Sequence, residues 1–133
     1  MSDLKKQLRP AIPSILKKEN IGVEEEFQNQ ILRPIIKLQN DLILNCFEDY
    51  LKRKKVGFQK FTDDQAIDFI HKTFKRDTQL KKDLRGLIIG LFTLDEYQEY
   101  LTITTQLNRR INSMIQERVG SFYVQKASNT QLA

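Results

Sequence analysis

One stretch limits what this chain can become. Residues 27–51 read FQNQILRPIIKLQNDLILNCFEDYL. On a helical wheel of about 100° per residue, Phe27, Ile31, Ile35, Leu38, Leu42 and Cys46 share one side. Leu32, Ile36, Ile43, Phe47 and Tyr50 lie beside them. The apolar arc is roughly 200° wide, twice what a helix lying on a surface needs. A helix of that kind must be covered on more than one side. It is expected over about 23–54, at the centre of a bundle. Glu24, Glu25 and Glu26 suit the positive end of its dipole and Lys52, Arg53, Lys54 and Lys55 the negative end, and Gly57 follows. Pro34 falls inside, removes one backbone hydrogen bond and clashes with the preceding turn, so a kink or break is expected at 30–34.

The remaining segments support the same architecture. Leu4, Leu8, Ile12, Ile15 and Leu16 recur at helical spacing but are interrupted by Pro10 and Pro13. This predicts an irregular piece over 1–10 and a helix over about 11–19, stopped by Asn20-Ile21-Gly22. Thr62-Asp63-Asp64-Gln65 is a capping box. It opens a helix with Ala66, Ile67, Ile70 and Phe74 on one face, ending near Arg76. Asp77 is placed to cap a further helix with Leu80, Leu84, Leu87, Ile88 and Leu91 inward. Gly86 and Gly90, four apart on it, suggest a close backbone crossing. Thr93 and Glu96 form a second capping box, with Phe92 and Tyr97 as a hydrophobic staple. The last helix is expected over about 94–120, with Leu94, Tyr97, Leu101, Thr104, Leu107, Ile111, Met114 and Ile115 along one face, Asn108 in or beside that seam, and Gly120-Ser121 as its end. Residues 125–133 read as frayed. With 5 Gly and 3 Pro in 133 residues, there are few turns, and no segment alternates as a strand. The fold class expected is all-α: one domain of about five helices, two of them long and central.

Composition narrows function mainly by exclusion. One cysteine, Cys46, allows neither an internal disulfide nor a cysteine zinc site, and on the apolar arc it reads as a buried thiol. No apolar run approaches the ~20 residues of a membrane span, and the basic N-terminus has no apolar stretch of a signal peptide. A cytoplasmic location is expected. The net charge is +5, and +3 of it lies in residues 1–22. That is a basic arm on a near-balanced body rather than a stripe built for a phosphate backbone.

Gln28, Gln39, Asn45 and Asp49 fall within the apolar arc of the central helix. Buried polar groups need partners. One reading is a hydrogen-bonded network that fixes helix register, or capture of the carbonyl freed by Pro34. Another is a polar pocket between helices, formed by Gln28, Arg33, Gln39 and Asn40, with Arg33 available for an anion, and the third is plain exposure. His71 borders the apolar face of its helix and reads as a satisfied structural histidine, with Asp68 as its only local acid. Asp63, Asp64 and Asp68 could be called a carboxylate cluster, but the first two open a helix, where acids belong. Lys72, Lys75, Arg76, Lys81, Lys82 and Arg85 gather at the junction of two helices, interleaved with Asp68, Asp77 and Asp83. Interleaved signs usually mark a solvated face; nucleic-acid binding by this junction and the Lys5–Lys18 arm is the alternative.

Glu25-Glu26-Phe27-Gln28-Asn29, Leu32-Arg33-Pro34 and Lys37-x-Gln39-Asn40-Asp41-Leu42, then Gly86-x-x-Ile89-Gly90-x-Phe92-Thr93-x-x-Glu96-Tyr97 and Leu107-Asn108-Arg109-Arg110, form a further pattern. Over about 24–118 the chain resembles a family of short helical proteins from flavobacteria and related Bacteroidetes that often carry a glyoxalase label. The label implies His and Glu metal ligands on βαββ units, a His-rich dinuclear site, or a Cys–Glu–His arrangement on an α/β fold. One histidine, one cysteine and no strand pattern match none of these.

The reading that follows is a non-enzymatic helical interaction module, self-associating through its wide apolar faces and through Phe58, Phe61 and Phe122, taken as exposed. No catalytic residue, cofactor or metal is assigned. The partner expected is protein, a second copy or another chain, and not a membrane. A nucleic-acid-binding accessory protein is the alternative, and a glyoxalase-like enzyme, with Arg33, His71 and Glu48 converging, is the third reading.

Overall fold

The computed structural model describes residues 2–10 and 22–132, with side chains over 4–10 and 22–124. Among them every regular element is helical, and they form one all-α domain. The helix expected over about 11–19 lies outside the described residues. In chain order the elements are α1 (Ser2–Gln7), α2 (Val23–Phe27), a π-helical turn (Gln28–Leu32), α3 (Arg33–Leu38), α4 (Asn40–Arg53), a 3₁₀ turn (Phe58–Lys60), α5 (Asp63–Arg76), α6 (Thr78–Ile89), α7 (Leu94–Thr102) and α8 (Thr104–Leu132).

The central stretch is continuous but twice deformed. Pro34 has no N–H to give the carbonyl four residues back. The backbone answers with a π-turn, in which the Arg33 N–H donates to the Gln28 carbonyl five residues earlier. A second deformation sits at Gln39 (φ −90°, ψ 6°). Each changes the phase of the helix, so a straight wheel over 27–51 mixes registers. Phe27, Leu32, Ile35, Ile36, Ile43, Phe47 and Leu51 are buried as a core face, whereas Leu38 and Leu42 face outward. The covered arc is narrower than the sequence suggests.

α4 ends at Arg53, beside the expected end near 54, and the residue that closes it is Lys55 instead of Gly57. Lys55 takes the left-handed conformation (φ 55°), the Val56 N–H donates to the Leu51 carbonyl and the Lys55 N–H to that of Lys52. This is a Schellman closure with lysine where glycine is usual.

Both capping boxes form with their two reciprocal bonds, Thr62 with Gln65 and Thr93 with Glu96. Asp77 closes α5 and caps α6 through the Leu80 N–H at 3.0 Å. The staple is different: the ring partners of Phe92 are Phe27 and Tyr100, not Tyr97. No backbone crossing involves the glycine pair. A Cβ at Gly86 would meet nothing within 4 Å, and one at Gly90 only the Gly86 carbonyl.

The helix expected over 94–120 is two helices. Thr102-Ile103-Thr104 is a β-branched run of low helix propensity, and its threonine hydroxyls donate to the carbonyls of Glu99 and Tyr100. Ile103 leaves the helical region (φ −138°, ψ 45°). α8 then passes through Gly120 and runs to Leu132, so 125–132 continues a helix instead of fraying. The passage through Gly120 follows from the stripe Leu107, Ile111, Ile115, Val119 and Tyr123, all buried. Tyr123 sits 4.8 Å from Phe58 and 5.7 Å from Phe47, ring centre to ring centre. Burying such a ring offsets the roughly 1 kcal/mol that glycine costs in a helix interior. α1 is likewise helical where an irregular piece is expected. α8 touches α4, α5, α6, α7 and the π-turn, so it shares the central role with α3 and α4.

Candidate functional site

Two regions bring side chains together in ways packing alone does not require. The first is the corner of α1 and α7. Arg9 reaches Glu96 with both terminal nitrogens, Nη1 to Oε2 at 2.7 Å and Nη2 to Oε1 at 2.6 Å, and Nη2 also donates to the Leu91 carbonyl. The side chains are 7% and 9% exposed. Lys5 Nζ donates to the Phe92 carbonyl at 3.0 Å, and the Thr93 N–H donates to Glu96 at 2.8 Å. Burial would push the Glu96 carboxyl up, but hydrogen bonds from Arg9 and Thr93, with the Arg9 charge, outweigh it and hold the group below its ordinary value. The inner side of α7 is therefore fixed. Its outer side carries Leu94, Tyr97 and Leu101, which are 70%, 38% and 48% exposed. Their i, i+3, i+7 spacing makes one stripe. Leu4 of α1 and Leu8, just past its end, are exposed as well. The cleft between the two helices is lined by Lys6, Asp95 and Glu99 among others.

The second region is an open groove of about 490 Å³ between α3 and α8. Gln28 and Arg33, the two residues that close the π-turn, both line it, as do Lys37 and, from α8, Arg118 and Ser121. Gln28 Oε1 accepts from Arg110, whose Nε donates to Glu24 at 2.8 Å. Gln39 and Asn40 are not part of this groove. Gln39 turns to α6 and donates to the Leu87 carbonyl at 3.0 Å, which Leu91 leaves free by bonding Ile88 instead. Asn40 bonds Asp41. The four residues grouped by sequence thus divide into a groove pair and two with local or interhelical bonds. Asn45 and Asp49 are exposed, paired with the Asp41 carbonyl and with Arg53.

The other candidates are dispersed. His71 lines a groove on the opposite flank of α8, its Nδ1 3.3 Å from Gln116 Nε2. Glu48 is exposed on α4. Arg33 and His71 line two separate grooves. Cys46 is a half-buried free thiol. Of the basic junction, Lys72 pairs with Asp68 at 2.8 Å and Arg85 meets Asn112 at 3.4 Å. Lys75, Arg76 and Lys82 are exposed and Lys81 is half-exposed. Phe58 and Phe61, expected to be exposed, are half-buried and interlocked with Phe69 and Tyr123. The local sequence around them is polar, and they are covered by Phe69 of α5 and, for Phe58, by Tyr123 of α8 past residue 120. Among the described residues, no group of His, Cys, Asp and Glu could hold a metal ion, and no helix is long and apolar enough to cross a membrane. Arg9, which ties the arm to the body, was not legible as a site residue, since its partner lies 87 positions away.

No protein-family model, curated protein or solved structure matches the chain.

Proposed function

We propose that this chain is a non-enzymatic helical interaction module of the bacterial cytoplasm that pairs with a second copy of itself through the α1–α7 corner. The observation that carries this reading is the Leu94, Tyr97, Leu101 stripe. Three large apolar side chains stand in water on a helix whose opposite side is anchored by the Arg9–Glu96 pair. A rigid apolar stripe loses little conformational entropy on docking. A two-fold contact also needs a patch that complements itself, and this corner offers both a cation, Lys6, and carboxylates, Asp95 and Glu99. The nucleic-acid reading is less well supported, because Lys5 and Arg9 of the basic arm are engaged with the body. Light scattering on the full chain at tens of micromolar tests the proposal. A dimer that Leu94→Asp with Leu101→Asp converts to a folded monomer is expected. A wild-type monomer at that concentration, or a dimer indifferent to both substitutions, overturns it.

A further inference from the structure

From the groove between α3 and α8 we infer a second, independent site: a binding site for a compact organic dianion, a phosphate monoester or a dicarboxylate. Its donors outnumber its acceptors. Arg33, Lys37 and Arg118 supply three cations, and Glu117 is the single carboxylate among the lining residues. The ion pairs of the described residues are Arg9–Glu96, Arg53–Asp49, Lys72–Asp68 and Arg110–Glu24. None of the three groove cations is among them.

Their orientation suits an oxyanion. Arg33 Nε donates to Asn29 Oδ1 at 3.0 Å, which steadies the guanidinium and leaves its two terminal nitrogens for a bidentate contact. Gln28 adds a neutral donor. Arg110 can only donate, so the Gln28 oxygen must be the atom it meets, and the Gln28 NH₂ is left over. Ser121 contributes a hydroxyl from the facing helix. Arg33 and Lys37 stand one turn apart on α3 and Arg118 stands on α8, so positive charge comes from two walls. With Glu117 included, the lining carries a net +2, matched by a dianion. Between the walls lie Ile36, buried, and Met114, a surface for the apolar part of the ligand. The volume of about 490 Å³ is that of a small-molecule site. The π-turn supplies the geometry, since it sets Gln28 and Arg33 at its two ends; such turns recur at functional sites.

The test is a ¹⁵N amide-shift titration of the full chain at low ionic strength with phenyl phosphate, phthalate and inorganic phosphate. Saturable shifts confined to Gln28, Arg33, Lys37, Arg118 and Ser121 are expected with at least one aromatic dianion below about 10 mM. Inorganic phosphate, without the apolar part, is expected to bind several-fold more weakly. Preference for phenyl phosphate assigns a phosphate monoester, and preference for phthalate a dicarboxylate. Arg33→Gln and Arg118→Gln should each weaken binding about tenfold by removing a charge-assisted hydrogen bond, with Lys37→Gln as a third variant and Lys82→Gln without effect. Both arginines are exposed, so the fold survives their loss. Absence of saturable shifts with either aromatic dianion, shifts spread equally over the Lys72–Arg85 junction, or unchanged affinity in all three groove variants would overturn the site.

Discussion

Arg9 and Glu96 form a two-pronged ion pair that joins the first described helix to the seventh, and the same carboxylate closes the capping box of α7. One group thus holds a helix start and a chain arm together. Removing one member of a buried pair leaves the other charge short of partners. The two side chains keep 7% and 9% exposure, so the loss stays below the buried extreme. Arg9→Met is expected to cost about 2–3 kcal/mol in urea unfolding. Arg9→Met with Glu96→Gln should cost less than the two singles combined. The folded Glu96 carboxyl sits below its ordinary value. Its contribution is therefore complete above the unfolded carboxylate pKa of about 4.3 and is lost as pH falls through the lower folded value. Acid unfolding of Glu96→Gln should lack that component. A single substitution that leaves the urea midpoint unchanged would contradict the role given to the pair.

The two capping boxes, the Asp77 cap, the inward face of α6 and that of α5 apart from Ile67, which is 50% exposed, were legible because each is local. A threonine and the acid or amide three residues later find each other whatever the rest of the chain does. The pocket grouping of Gln28, Arg33, Gln39 and Asn40 was half legible for the opposite reason. Pro34 announced a deformation, but not that a π-turn would absorb it, nor that Gln39 would deform the helix a second time. Two phase changes send Gln28 and Arg33 to α8 and Gln39 to α6. The division at Ile103 was signalled only by three β-branched residues, and the apolar pattern on both sides concealed it. Arg118 and Lys37 joined the groove through tertiary contact, which no spacing rule encodes.

Lys55 is the one non-glycine residue with positive φ among the described residues, at 55°. It closes α4 in a position where a Cβ crowds the following carbonyl. Gly57, two residues on, is not in that conformation (φ −81°). Lys55→Gly is expected to raise stability by about 0.5–1 kcal/mol, the relief of the left-handed penalty less the entropy that glycine adds to the unfolded chain. Thermal unfolding would record an increase, and a decrease would mean that the lysine makes contacts worth more than the strain.

Gly86 presents the reverse case. It lies within α6 at ordinary helical geometry, exposed, and a methyl group added there would meet nothing within 4 Å. Gly86→Ala should therefore stabilise by about 0.5–1 kcal/mol through helix propensity and a less flexible unfolded chain. Gly90→Ala should gain less or nothing, because its Cβ would stand 3.1 Å from the Gly86 carbonyl. Urea midpoints of the two variants distinguish them. Equal gains would show that the carbonyl contact is harmless, and a loss at Gly86 would point to a partner on that face.

Tyr50 donates to Asp77 Oδ2 at 2.9 Å, tying α4 to the corner between α5 and α6. Burial first, then the hydrogen bond to Asp77 and its negative charge, push the phenol up to about 12. Asp77 is held below the ordinary carboxylate range, mainly by the Leu80 N–H and then by Tyr50. Burial, with the charge of Glu48, also takes Tyr123 up to about 12, and burial raises Tyr100 despite its bond to Asn108. In the unfolded chain these phenols ionise near pH 10. The unfolded state thus sheds its protons first, and stability should be full below about pH 10 and decline as pH rises through the folded values near 12. An ultraviolet tyrosinate titration of the native protein should show Tyr50 and Tyr123 lagging. Asp77→Asn keeps a residue able to cap α6 but removes the charge facing Tyr50, so the Tyr50 step should move partway back toward 10. Tyr50→Phe should flatten the alkaline loss of stability. Tyrosine ionisation complete near pH 10 in the folded state would refute this arrangement of phenols and carboxylates.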